Sequence, residues 1–292
     1  MPIPRYLIVL IVLISLLAML AAATPFFFTA GPGPSEYISV RGQSVELYGY
    51  GAYRHMPSDV AVQGLAQDLV TLFVGIPVLL LSLWRTYRGS KIGYLMLTGS
   101  VGYLFVQYTM YLAMAMYNEL FLLWVALVLA SFQVLVKLLL HGTRVADPST
   151  PPSTATRRFV GYFLIANATL IGLLWLRVVV PPLLDGTLYP EGLSHFTTMI
   201  VQGFDLALFL PPSVLAGYYY LRRKSAGDLL APVYAVFLSL QMTALLAKIA
   251  WMAAIGLSAG PALVIIPLLL IGAVSAAYLA LRPHRDRATA NA

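Results

Sequence analysis

Val62-Gln63-Gly64-Leu65-Ala66-Gln67-Asp68-Leu69-Val70-Thr71-Leu72-Phe73, running on through Pro77 to Arg85, has a counterpart in Val201-Gln202-Gly203-Phe204-Asp205-Leu206-Ala207-Leu208-Phe209, which runs on through Pro211 to Arg222. Each stretch opens with Val-Gln-Gly, carries one aspartate near its start, meets proline mid-span and reaches arginine 17 positions after the aspartate. Apolar runs of this length read as membrane-crossing helices. Their recurrence predicts a tandem duplication, with one acid placed inside the lipid in each copy.

Composition agrees with a bilayer as solvent. Of 292 residues, 60% are hydrophobic and only 10% charged, with a mean hydropathy of +0.84, whereas an ordinary soluble domain carries about a quarter charged residues. The net charge of +7 comes from short basic clusters between apolar runs, which is the pattern of membrane orientation and not of a nucleic-acid surface. With no cysteine, the chain has no disulfides, thiolate ligands or cysteine nucleophile.

Eight spans are expected, over Tyr6 to Phe28, Ala61 to Trp84, Ile92 to Met116, Leu120 to Leu140, Phe159 to Val179, Thr197 to Leu221, Leu229 to Ile255 and Ala262 to Leu281. The first could instead be a cleaved signal peptide covering residues 1–23, since Ala21-Ala22-Ala23 resembles a cleavage site, but the run continues to Phe28 and favours a retained helix. Arg85, Arg88 and Lys91, then Arg144, Arg157 and Arg158, then Arg222, Arg223 and Lys224, then Arg282, Arg285 and Arg287 all fall on the side of Arg5. The positive-inside rule makes that side cytoplasmic, with both termini there and the protein multi-pass in the cell membrane. The other side collects Glu36, Glu46, Asp59, Glu119, Asp185 and Glu191.

The fold class expected is therefore an all-α integral membrane protein of eight helices, arranged as two tandem four-helix repeats about an axis along the membrane normal. Residues 1–143 form the first repeat and include an extracytoplasmic segment at 29–60. Residues 144–156 form a Pro/Ser/Thr linker, and residues 157–292 the second repeat. In the extracytoplasmic segment, Tyr37 to Val40 and Val45 to Tyr48 alternate like a hairpin around Arg41-Gly42. The Gly- and Tyr-rich run that follows, with Tyr53, Arg54 and His55, suits an interfacial loop, either a plain cap or a lid that touches a ligand. His55 and His195 sit at similar distances before the two Val-Gln-Gly motifs. The duplication extends to Gln107 through Met114 in the third span against Gln241 through Lys248 in the seventh.

The run from Leu47-Tyr48-Gly49 through Arg54, Gly64 to Gly75, Arg85 to Gly89 and Tyr117 to Leu122, with Asp205-Leu206 through Pro211 to Arg222-Arg223, resembles a widespread group of uncharacterised bacterial and archaeal polytopic membrane proteins. The resemblance implies eight helices and carries no catalytic residues.

Chemistry must come from polar groups in lipid, where each ionisable residue is a functional candidate. Counted at 1.5 Å per residue, Asp68 lies about 10 Å, Asp205 about 12 Å and Lys248 about 13 Å below the outer surface. One reading pairs Asp205 with Lys248 as structural glue, with Gln202 and Gln241 completing the hydrogen bonds. The other has Asp68, Asp205 and Lys248 lining an outward-opening cavity for a cation, a proton or a polar headgroup. Gln67, Gln107, Tyr108 and Tyr111 are the nearest partners for Asp68. Pro77, Pro211 and Pro212 should open their helices near the acids. Gly99, Gly102, Gly161 and Gly172 should allow close helix approach.

Four scattered histidines show no ligand spacing, so no metal or cofactor is expected, and no catalytic residues are assigned. Lys248 invites a retinal linkage, which eight spans argue against. The function expected is binding or transport of a small polar solute or ion between the repeats. The alternative is a non-catalytic accessory subunit of a membrane complex, and less favoured is an enzyme on lipid-linked substrates using His55, Asp59 or His195. Partners expected are membrane lipids, a small solute or ion, and a protein partner or second copy, but no nucleic acid.

Overall fold

An apolar run in lipid can satisfy its backbone only within itself, and so it coils. The computed structural model describes residues 3–143, 152–190, 192–257, 260 and 262–282. It is almost wholly helical: α1 Arg5–Phe27, α2 Ser58–Tyr87, α3 Lys91–Met114, α4 Phe121–Gly142, α5 Thr154–Asp185, α6 Ile200–Leu221, α7 Ser225–Ala254 and α8 Ala262–Leu281. Seven of these are long and apolar enough to cross a membrane; α3 is the exception. It is 24 residues long, but Tyr94, Thr98, Ser100, Tyr103, Gln107, Tyr108 and Tyr111 dilute its hydropathy, and all of them are buried. The polar groups that remove α3 from the apolar set are thus spent inside the bundle. The first part of the expected linker, 144–151, lies outside the described residues, and its last three residues are already helical: α5 begins at Thr154, with the Ser153 hydroxyl accepting from Thr156 N–H at 3.1 Å.

α3 and α7 pack against each other at the centre. α3 also packs on α2 and α4, and α7 on α2, α6 and α8. Successive helices run in opposite directions. One end of the bundle, the hairpin end, holds β1 Ser35–Ile38 and β2 Ser44–Leu47, which pair antiparallel with Tyr37 opposite Val45. The strands lie up to two residues earlier than the alternation suggested, because the Ser39–Gln43 turn closes the hairpin through two backbone hydrogen bonds. Beyond it the chain crosses itself. Gly49 has φ +80°, and a Cβ there would lie 1.8 Å from the Gly33 carbonyl oxygen; at Gly51, φ +54°, it would lie 2.1 Å from that of Phe28. The glycines of the Tyr-Gly-Tyr-Gly run therefore serve this crossing. The other end, the arginine end, carries Arg85, Arg157, Arg222 and Arg223.

Both Val-Gln-Gly helices contain one π turn, Thr71–Gly75 in α2 and Asp205–Phe209 in α6. Each closes with an i→i−5 bond, Ile76 N–H to Thr71 O and Leu210 N–H to Asp205 O, and each ends two residues before a proline, Pro77 or Pro211. Proline clashes with the carbonyl four residues back, which here belongs to the π turn, and the wider turn makes room for it. The expected proline distortion is thus a π bulge that the helix absorbs without ending. Further on, Ser90 N–H bonds Arg85 O and Lys224 N–H bonds Tyr219 O, around the left-handed Gly89 and Arg223. Gly93 and Gly227 then press on these two turns, each too tightly for a Cβ.

These features recur 134 residues apart, as do Gln107 and Gln241. In that register Asp68 corresponds to Gln202, and Asp205 to Thr71. The equal aspartate-to-arginine spacing therefore does not make the acids structural equivalents: Asp68 lies about 4.5 Å, three residues, farther from its π turn.

Two of the four expected close-approach glycines are tight. A Cβ on Gly99 would lie 2.6 Å from the Val233 carbonyl oxygen of α7, and one on Gly161 would meet Leu221 at 2.5 Å and the Gly217 carbonyl oxygen at 3.0 Å. Gly102 and Gly172 have ordinary contacts, nearest 3.9 and 3.8 Å. Gly99→Ala should therefore lower the stability of the detergent-solubilised protein by about 1–3 kcal/mol, through forced separation of α3 and α7. Gly102→Ala should leave the thermal midpoint unchanged; equal effects of the two would contradict the packing.

Candidate functional site

Gly64 and Asp68 are four residues apart and share a face of α2, about 40° from each other. The Gly64 face has no side chain, and the Tyr53 ring fills it, 3.2 Å from where a Cβ would stand. From there the Tyr53 hydroxyl donates to Asp68 Oδ2 at 2.5 Å. The Tyr111 hydroxyl of α3 lies 3.0 Å from Asp68 Oδ1 and 2.9 Å from the Gly64 carbonyl oxygen, so its one proton is shared between them. Asp68 is 1% exposed. The expected interfacial residue Tyr53 is thus buried and bonded to the acid, which makes the Gly51–Tyr53 turn a plug over Asp68.

The second acid is built differently. Gly203 precedes Asp205 by two residues and faces about 160° away from it, with nothing within 4 Å of a Cβ. Asp205 is partly buried, and its Oδ2 accepts from Trp175 Nε1 of α5 at 2.7 Å. Nothing in the sequence spacing linked Trp175 to Asp205, because their meeting depends on how α5 lies across α6. Lys248 of α7 is near enough to both acids for its charge to act on each. It is within 4 Å of neither and makes no hydrogen bond among the described residues. The expected Asp205–Lys248 ion pair is therefore not closed, and the glutamines expected to complete it do not do so. The Gln202 side chain makes no hydrogen bond among the described residues, and Gln241 Oε1 is buried without a partner.

Gln107 shares a face of α3 with Tyr103 and Tyr111. The Tyr103 hydroxyl accepts from Gln67 Nε2 at 3.0 Å and lies 2.9 Å from Thr71 Oγ1. Gln107 itself does not bond Asp68; its Nε2 is buried and unpartnered, as is Gln67 Oε1. Tyr108, also a candidate, turns away and donates to the Ala18 carbonyl of α1 at 3.0 Å.

The hairpin end holds a cavity of about 540 Å³, lined among others by Glu46, Tyr48, Asp59, Val62, Ser194 and Ile255 and by none of Asp68, Asp205 and Lys248. Val62 is six residues, about 9 Å, along α2 from Asp68, and Ile255 is seven residues beyond Lys248, about 10 Å. The surrounding loops are clamped by Arg41, whose Nη2 donates to the carbonyls of Ser194 at 2.6 Å and Phe196 at 2.8 Å while its guanidinium lies 5.2 Å from the Tyr189 ring centre. His195 stands edge-on to Tyr37 at 5.5 Å and lies against the His55 backbone, so the two histidines noted in the sequence do meet. Arg54 donates to Glu119 Oε1 at 2.6 Å and to His55 Nε2 at 3.1 Å. That bond holds the Glu119 carboxyl below its usual range. At the arginine end, Arg157 pairs with Asp228 at 2.7 Å, donates to the Tyr220 carbonyl and covers the Tyr220 ring. Sequence reading had counted Arg157 only as an orientation charge.

Comparison of the chain with protein-family models, curated proteins and solved structures finds no match.

Two outcomes follow from this geometry. In a double-mutant cycle of Tyr53→Phe and Asp68→Asn, thermal unfolding should show coupling, since a hydrogen bond to a charged group contributes about 1.5–3 kcal/mol and the single Tyr53→Phe change should lose that much. Additive effects would show that the bond is idle. The second outcome concerns His195. Burial, and next the Arg41 charge, hold its imidazole below its ordinary 6.5. The folded state thus resists a proton that the unfolded state accepts, so stability is full above about pH 6.5 and falls as pH drops below it. Thermal midpoints measured from about pH 7.5 to about pH 5 should show that fall, and His195→Phe should flatten it.

Proposed function

We propose that this chain is a multi-pass protein of the cell membrane that binds or transports a small polar solute or ion at a site between two four-helix halves, open to the outer side. In this reading α3 is the eighth span, the arginine end is cytoplasmic together with both termini, and the hairpin end faces out. The segregation of Lys and Arg supports that orientation. The constant offset of 134 residues between the π turns, prolines and helix-closing turns supports the duplication.

One observation carries the functional reading: Lys248, whose charge acts on both Asp68 and Asp205, has no side-chain ion-pair or hydrogen-bond partner among the described residues. An unpaired charge at the centre of a membrane helix costs about 2.5–3.5 kcal/mol or more. A purely structural role would close the pair, and a binding site leaves it open for a ligand. Trp175, Tyr53 and Tyr111 hold the acids in place, while Glu46, Asp59 and Tyr48 line the approach.

The test is native mass spectrometry of the gently solubilised protein and of Asp205→Asn. A stoichiometric small molecule or ion that is present in the first and lost in the second is the expected result. A second polypeptide retained by both, with no ligand in either, would overturn it in favour of an accessory subunit.

A further inference from the structure

Asp68 and Asp205 ionised, with Lys248 protonated, leave the layer one negative charge in excess. Among the described residues no other charged side chain acts on the two acids: the titratable groups around Asp68 are Tyr53, Tyr103, Tyr108 and Tyr111, and Tyr234 interacts with Asp205. A medium of low dielectric penalises such an excess strongly, so the layer is completed by one positive charge and disfavours an anion. The neighbours decide which positive charge it is.

A metal cation or an organic ammonium needs oxygen acceptors, for a metal commonly six or so. The acids here meet donors instead. Both oxygens of Asp68 already face tyrosine hydroxyls, and Asp205 faces the Trp175 N–H. Lys248 adds an ammonium where a cation would sit. A proton needs no coordination shell, only a carboxylate and water to deliver it. Places for water exist: Gln67 at 1% exposure and Gln107 at 4% each hold a polar atom without a partner, Gln241 Oε1 is likewise open, and Gln107 is aimed at the layer by its position between Tyr103 and Tyr111. Buried polar atoms of this kind are where internal waters bind.

We propose that the ion this site takes up is a proton, held by one of the carboxyls of Asp68 and Asp205 while the Lys248 charge balances the other, and supplied through water from the hairpin end. This rests on the reading of the layer as an ion- or solute-binding site. The step is a simple transfer: hydronium gives a proton to a carboxylate oxygen, leaving water and a neutral carboxyl, with the Lys248 charge balancing the remaining carboxylate. The Lys248 charge, which acts on both acids, then limits the layer to one proton.

Infrared difference spectroscopy of the full chain in lipid, titrated with acid, tests it. The expected result is a carboxyl C=O band of a group shielded from water, with the amplitude of one carboxyl, absent in Asp68→Asn and in Asp205→Asn. Excess sodium or methylammonium should leave it unchanged. Lys248→Met, which places at this position the residue found at Met114, should raise the amplitude toward two carboxyls; this change of opposite sign separates loss of the site from loss of the fold. A shielded band missing at every pH, or removed by sodium or methylammonium, overturns the proposal. If the band is missing while native mass spectrometry still finds a ligand lost in Asp205→Asn, the site stands and only the proton falls. If the band is present with no ligand, the proton stands without a solute.

Discussion

The bundle depends on phenol hydroxyls that α3 extends to its neighbours. Tyr94 donates to the Leu138 carbonyl of α4, Tyr108 to the Ala18 carbonyl of α1, Tyr103 bonds Gln67 and Thr71 of α2, and Tyr111 bonds Asp68 of α2. Helices in lipid gain little from apolar contact with one another, because the solvent is equally apolar, so packing and polar bonds between helices must hold them. Tyrosine suits this task because its ring fills the interior while its hydroxyl finds an acceptor. One helix thereby fixes α1, α2 and α4 around itself, and its glycine, Gly99, brings α7 against it.

The same bonds create the site's asymmetry. At the positions 134 residues after Tyr103 and Tyr111 stand Phe237 and Leu245, which cannot donate, and the Tyr234 hydroxyl, which does reach from α7 to α6, donates to the Phe209 carbonyl at 2.6 Å and not to an acid. The side chain of Gln202, 134 residues after Asp68, makes no hydrogen bond among the described residues, and Asp205 finds a donor in Trp175 on α5. On this half, α7 carries Lys248 where α3 carries Met114. Asp68 is thus tied by two tyrosine hydroxyls, whereas Asp205 accepts one bond and the Lys248 side chain makes none among the described residues.

The π turns explain why two equal sequence intervals misled. Counting from aspartate to arginine treats a helix as a ruler, but the acid in α2 precedes its π turn and the acid in α6 opens it. The reliable fiducials are the prolines and the left-handed turns at Gly89 and Arg223, since their backbone requirements cannot slide along the helix. The Val-Gln-Gly match shows the same limit: Gly64 makes room for Tyr53, while Gly203 faces open space.

What the sequence by itself determined was the helical class, the positions of the seven apolar helices, the hairpin and the identity of Asp68, Asp205 and Lys248 as residues needing an explanation. These follow from local hydropathy and from the cost of charge in lipid, which are readable residue by residue. Only the tertiary structure decided that Tyr53 turns inward to Asp68, that Trp175 serves Asp205, that Arg41 clamps the hairpin to the loop at Ser194 and that Lys248 closes an ion pair with neither acid. Those contacts join residues from different helices and loops. Their distances depend on crossing angles, bulges and the space left at glycines, and no spacing along one chain encodes them.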